Sequence, residues 1–139
     1  MRNKILVIGC GRFGAKIAND SSLNGENVVT IDNDSSSFER LNDDYSGYTI
    51  CCDATDLSSM EEEGYIKDAF RIVITTGNDN VNLFLAHVAA SIYEIPEIFV
   101  RFNDPDFASL VSDMNIKAIY PFELSLRKYN ALSMGVKKQ

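Results

Sequence analysis

A doubly wound, Rossmann-like parallel α/β sheet of about six strands, in the order 3-2-1-4-5-6, is the fold this sequence predicts. Three observations predict it. Short apolar runs alternate with amphipathic segments along the whole chain, the pattern of a parallel sheet covered by helices on both faces. The first run opens directly into a glycine loop, Gly9-Cys10-Gly11-Arg12-Phe13-Gly14, at the start of a helical segment. The second run ends in Asp32, 18 residues beyond Gly14, which is where a dinucleotide fold places its ribose carboxylate.

The strands are read at Lys4–Gly9, Asn27–Asp32, Tyr48–Cys52, Phe70–Thr75, Glu97–Phe102 and Lys117–Tyr120. Helical segments are expected near 12–23, 35–44, 57–63, 79–94, 105–114 and 122–134. Their ends carry stop and start chemistry. Asp104-Pro105-Asp106 supplies an N-cap, a proline at the first helical position and an acid in the first turn, and Gly25 and Gly64 stand where helices should stop. No linker, low-complexity segment or repeat beyond the βα unit interrupts the chain, so one domain is expected over 1–139.

Composition narrows the function classes. At 139 residues the chain is long enough for a single real core. Its net charge of −7, with an acidic run at Glu61-Glu62-Glu63, is the opposite of a nucleic-acid or anionic-membrane footprint. No nucleic-acid partner is expected. The apolar run Ile5–Ile8 is too short for a signal peptide, and nothing approaches the roughly 18 residues of a membrane span, so a cytoplasmic location is expected. The 3 cysteines form no CxxC and have no spaced histidine partners, which indicates neither a disulfide framework nor a metal site. Cys51 and Cys52, adjacent in a strand, point to opposite faces and read as reduced structural thiols.

In the glycine loop, Gly9 makes the tight turn out of the strand, Gly11 lets a pyrophosphate approach the backbone, and Gly14 packs helix on strand. The phosphates would rest on free N–H groups at the helix start. An acid at Asp32 accepts from ribose hydroxyls and repels a 2′-phosphate, which favours NAD(H) or ADP/ATP over NADP; the motif does not separate those two. Arg12 either reaches the phosphates or is a solvated arginine on the first helical turn. Phe13 is expected to pack beneath the loop.

Further residues extend the pattern: "GCGRFGAKIA", "VVTIDND", "CDATD" at 52–56, "VITTGNDNVNLFLAHVAA" at 73–90 and "FVRFNDPD" at 99–106. Together they resemble the nucleotide-binding N-terminal domain of the regulator-of-potassium-conductance family (RCK/KTN, TrkA-N-like), over essentially the whole chain. These are cytosolic gating subunits of Trk/Ktr-type potassium uptake systems and related channels. The resemblance implies that Gly9, Gly11, Arg12 and Gly14 hold phosphates, with Cys10 and Phe13 in the same loop. It puts Asp32 on the ribose, with Asn33 beside it. Cys52, Asp53 and Ala54 would line the adenine end, with Thr55 closing their turn. Thr76, Gly77 and Asn78 would face the middle of the nucleotide, and Arg101 would add positive charge. Cys52 replaces a small glycine common before Asp-Ala-Thr and should crowd the adenine pocket. Glu123 stands one position later than the acid of some relatives, so no metal or phosphate role is assigned to it.

The single histidine, His87, shares a polar stripe with Asn80, Ser91 and Glu94 and is expected to be exposed rather than catalytic. The same helix carries two apolar lines, Val81-Leu85-Val88-Ile92 and Leu83-Ala86-Ala90-Tyr93. One could meet a second subunit, or both could be covered within the domain. The last helix offers Phe122, Leu126 and Tyr129, with Glu123 and Arg127 spaced as an i,i+4 ion pair. In the resembled family this helix crosses to a partner, so a homodimer or larger ring is expected through the 79–94 and 122–134 helices. The resemblance also implies a membrane potassium-translocating subunit as partner, and a ligand sensor rather than an enzyme. The rival readings are the NAD-binding half of an oxidoreductase, and a redox sensor using Cys10 or Cys51/Cys52, which requires a thiol of lowered pKa.

Overall fold

The computed structural model describes residues 1–137; the last two residues of the domain expected over 1–139 lie outside the described residues. Six parallel strands form one sheet: β1 (Lys4–Ile8), β2 (Val28–Asp32), β3 (Tyr48–Cys51), β4 (Ala69–Ile74), β5 (Glu97–Arg101) and β6 (Lys117–Ile119). Their order is β3-β2-β1-β4-β5-β6, the arrangement the sequence predicts. The chain winds outward from β1 to β3, then returns to lay β4 on the other side of β1. The strand order therefore reverses between β1 and β4, and the crevice beyond their carboxyl ends is where open α/β sheets take ligands.

Alternation along the strands builds two core layers. Leu6 and Ile8 face the larger one with Val29, Ile31, Ile72, Ile74 and α3 (Asp79–Ser91). Ile5 and Val7 face the smaller one with Val28 and Ala18 of α1 (Arg12–Leu23). A short α2 (Leu57–Glu62) and a terminal α4 (Pro121–Lys137) complete the helices.

Two expected helices are tighter and shorter than the apolar pattern suggested. Residues 35–44 give a 3-10 turn at Ser35–Arg40, and 105–114 one at Pro105–Leu110. Serine and aspartate side chains supply the reason, because they offer the backbone local partners that compete with an α-helix. Asp34 accepts from both the amide and the hydroxyl of Ser36, while Ser109 and Ser112 donate back to carbonyls three residues earlier. A further 3-10 turn, Ile66–Asp68, has no counterpart in the sequence reading. Gly25 ends α1 in the left-handed region, at φ 79°. After α2 that role falls to Tyr65 (φ 61°) rather than Gly64; Gly64 instead lies so close to Met60 that a Cβ would meet its Sδ at 2.9 Å.

α3 ends at Ser91, short of the expected 94, because Ile92 caps it and Glu94 turns left-handed at φ 51°. The acidic run closing α2 has structural partners: Glu61 accepts from the Tyr93 hydroxyl at 2.7 Å and pairs with Lys67 at 2.9 Å. Burial, then this carboxylate, pushes the Tyr93 phenol up from 10 to about 12. A raised acid is stabilised in its neutral form, so its contribution is complete below 10 and disappears as the pH rises through about 12. Between those values wild-type protein should lose stability more steeply than Tyr93→Phe, measured as the urea midpoint at each pH. Parallel curves would contradict this assignment.

Candidate functional site

A cleft of about 500 Å³ opens at the carboxyl ends of β1, β2 and β4, over the point where the strand order reverses. Gly9, the first residue of the glycine loop, borders it, and the three glycines of that loop do different things. Gly9 has φ 95°, and a Cβ there would stand 2.8 Å from the Thr75 carbonyl oxygen. A Cβ on Gly14 would collide with the Gly9 carbonyl oxygen and stand 2.8 Å from Thr75 Oγ1. At Gly11 nothing lies within 4 Å. So β1, β4 and α1 meet through Gly9 and Gly14, and Gly11 leaves open space where a ligand backbone contact would be made. Gly11 caps α1 with no side-chain hydrogen bond, so the first-turn amides stay available for an anion.

Asp32 closes one wall. Its Oδ2 accepts from Cys10 N at 2.8 Å and its Oδ1 from Asp34 N at 2.9 Å. These bonds aim the carboxylate and leave lone pairs for ribose hydroxyls. Opposite it, the Asp53 carboxylate accepts from the amide and hydroxyl of Thr55 at 2.9 and 2.7 Å, bonds that hold its pKa below the ordinary value. Nine predicted site residues border the cleft: Gly9, Asp32, Asn33, Cys52, Asp53, Ala54, Thr76, Gly77 and Asn78. Ile8, Ile31, Thr55 and Val81 join them, and the apolar members offer a bed for a flat ring.

Other predicted residues sit beside the cleft rather than on its surface. Arg101 stacks on Phe13, 5.5 Å from the ring centroid, and donates to the Thr75 carbonyl at 3.3 Å. Phe13 is thus tied to the arginine. Gly11 and Gly14 act through the loop as described, and Cys10 is buried beneath it. Arg12 is exposed and borders a separate hollow on the outer flank of α1. The two charges that do line the cleft are both carboxylates.

Cys10 and Cys52 do not meet the requirement of a redox sensor. Burial pushes Cys10 up, with Asp32 adding to it and Arg40 opposing. Burial likewise raises Cys52, reinforced by Glu63 and the neighbouring groups. Both move opposite to the lowered pKa that reading needs. His87 is exposed, with Nε2 3.0 Å from the Leu110 carbonyl, and does not border the cleft.

Two residues that hold the site together escaped the sequence reading. Asn82 is fully buried. Its Oδ1 accepts from the amide and hydroxyl of Thr76, and its Nδ2 donates to the carbonyls of Thr76 and Arg101 at 3.0 and 2.8 Å. One side chain thereby fastens the loop after β4 to the end of β5. Arg40, at the end of a 3-10 turn, donates to the Cys10 carbonyl at 3.2 Å. An asparagine inside the apolar run "VNLFLA" was the available signal for the first; nothing local marked the second.

A family model described as the TrkA-N domain matches residues 5–121. The chain belongs to the TrkA-N family. Among its relatives is a Trk system potassium uptake protein TrkA from Streptomyces coelicolor, 29% identical over 115 residues, a match that covers 83% of this chain and 51% of that protein. The chain thus spans about half the length of that relative. The TrkA-N domain of the inner membrane protein ybaL from Escherichia coli superposes with a TM-score of 0.81 at 16% identity, covering 95% of this chain and 97% of that one. An AMP-bound Kef C-terminal domain from Shewanella denitrificans gives 0.72 at 22%, covering 95% and 81%. These likenesses show the same fold. Within this TrkA-N fold, the glycine loop, Asp32 and the turns after β3 and β4 converge on one cleft.

Proposed function

We propose that this TrkA-N chain is a nucleotide-sensing regulatory subunit of a membrane potassium transporter or channel, taking NAD(H) or ADP/ATP in preference to NADP. The convergence of Gly9, Asp32 and the Asp53–Thr55 turn on the switch-point cleft, with Gly11 beside it in the same loop, carries the reading. Gly11 presents open backbone for a diphosphate, Asp32 presents aimed lone pairs for a ribose, and its negative charge opposes a 2′-phosphate. The residues fit an adenine nucleotide. Cys52, bordering the cleft as a neutral thiol, narrows the end assigned to the adenine. The AMP named with the Kef domain and the Trk uptake system named with the Streptomyces relative support the ligand and partner classes. Regulation rather than catalysis is the role this assigns, in the cytoplasm at the membrane's inner face; no described helix is long and apolar enough to cross a bilayer.

A sensor acts by binding two arrangements of an assembly unequally. The surface supports an assembly through α4, on which Phe122, Leu124, Leu126, Tyr129, Leu132 and Met134 are all about half or more exposed. The α3 contribution is narrower than the sequence suggested. Leu85, Val88, Ala86 and Tyr93 are buried in their own domain, leaving Ile92 at its end and Phe84, which lies on neither predicted line. The Glu123–Arg127 pair is not formed among the described residues; two fully solvated charges gain too little to fix it.

Calorimetric titration with NAD⁺, NADH, ADP, ATP and NADP⁺, with light scattering on the same samples, tests this function. Binding of adenine nucleotides with a free ribose over NADP⁺, and a ligand-dependent mass or shape, is the expected result. An assembly unchanged by every nucleotide would contradict sensing. Leu126→Asp should shift the protein toward monomer in the same scattering experiment; an unchanged mass would remove α4 from the interface.

A further inference from the structure

We propose that the outer flank of the glycine loop is a second anion site, formed by Arg12, Lys16 and Arg40, that binds an inorganic phosphoryl anion separately from the cleft. The proposal goes beyond the nucleotide reading and does not depend on it. A hollow of about 420 Å³ lies between α1 and the 3-10 turn at Ser35–Arg40, bordered by Arg12, Ala15, Lys16, Asn19 and Arg40. Three of those five residues are cations, in a chain of net charge −7. Arg12 and Lys16 stand four apart on one helix face, and Arg40 approaches from another element.

Arg40 is held for the purpose. Its guanidinium donates to the Cys10 carbonyl, and its own carbonyl accepts from Asn19 Nδ2 at 3.4 Å. Asn19 is buried and also accepts from Asn42 N at 2.9 Å, so the turn carrying Arg40 is fastened to α1 on both sides. One guanidinium donor is used there, and a planar fork of further donors remains to match phosphoryl oxygens. Among the described residues neither Arg12 nor Arg40 is in a salt bridge; Lys16 alone has a partner, Asp20 at 3.0 Å, and both are largely solvated. Such a pair holds its lysine weakly. Three cations around one hollow repel one another even with Asp20 beside Lys16, and a multivalent anion between them removes that repulsion.

Cys10 separates the two sites. Its N–H points to Asp32 and its carbonyl to Arg40. The flank is therefore one backbone residue away from the ribose carboxylate, whose charge opposes delivery of the phosphate on a ribose. A free phosphate or pyrophosphate is the occupant this favours.

The test is a ³¹P NMR titration of the full chain with inorganic phosphate and pyrophosphate at fixed ionic strength, repeated on Arg40→Gln and Lys16→Gln. Adenosine, which carries no phosphate, is titrated in parallel to report the cleft alone. The expected result is about tenfold weaker pyrophosphate binding in each variant, with adenosine affinity unchanged in Lys16→Gln, whose side chain does not border the cleft. 2′-AMP is expected to bind no more tightly than 5′-AMP; a 2′-AMP advantage that is lost in Arg40→Gln would overturn the assignment to a free anion. Pyrophosphate binding that is absent at about 10 mM, or equal in wild type and both variants, overturns the proposal. Failure of adenosine alone would count against the nucleotide cleft and leave the flank site standing.

Discussion

Gly14→Ala should unfold this domain more readily than any other single methyl group added to the glycine loop, by about 3 kcal/mol in urea denaturation, and should abolish nucleotide binding with it. The new Cβ would occupy the position of the Gly9 carbonyl oxygen and press on Thr75 Oγ1. Neither is the free end of a flexible side chain. Thr75 Oγ1 already donates to the carbonyls of Ile8 and Gly9 at 3.1 Å, so relief requires α1 to move off β1 and β4 together. Gly11→Ala provides the contrast. Nothing stands within 4 Å of its Cβ, and its φ of −78° suits any residue. Its stability should fall by about 1 kcal/mol at most, while nucleotide affinity falls because the methyl enters the space left for the diphosphate. Equal stability losses in the two variants would refute this division of roles.

Asn82→Ala is the second large effect expected, again about 3 kcal/mol of lost stability. The substitution strips partners from the amide, hydroxyl and carbonyl of Thr76 and from the carbonyl of Arg101, around a side chain that is itself fully buried. Buried polar groups left unpaired cost more than the bonds themselves contributed. The loop Thr76-Gly77-Asn78 would loosen, and Arg101 would lose its registration against Phe13 and Thr75. Nucleotide affinity should therefore drop even at temperatures where the variant remains fully folded. A variant as stable as wild type would show that Asn82 is incidental.

The legible part of this molecule was the part governed by pattern and by special residues. Parallel strands buried on both faces read as apolar runs, and the glycine spacing with Asp32 marks the loop, the switch point and the acid in the sequence itself. What stayed hidden depended on long-range partners. Asn82 looks like a polar interruption of an apolar helix until the ends of β4 and β5 are brought to it. Arg40 lies in a stretch whose serines favour local turns, so neither its element nor its distance from Cys10 could be read. Arg12 follows the same logic in reverse. Its place in the motif suggested the phosphates, yet its first-turn position on α1 directs it to the outer flank. The Cys52–Thr55 turn borders the cleft, its shape held by the bonds of Asp53 to Thr55.

The central claim is that an adenine nucleotide occupies the cleft between the glycine loop and the turns after β3 and β4. Amide ¹H–¹⁵N correlation spectra of the labelled protein, recorded during an ADP titration, test it most directly. The account predicts that the largest shifts fall on Gly11–Gly14, Asn33, Asp53–Thr55 and Gly77–Asn78, and that Asp32→Ala weakens the titration by tenfold or more, about 1.4 kcal/mol. Shifts confined to other surfaces, or a titration indifferent to Asp32→Ala, would contradict it.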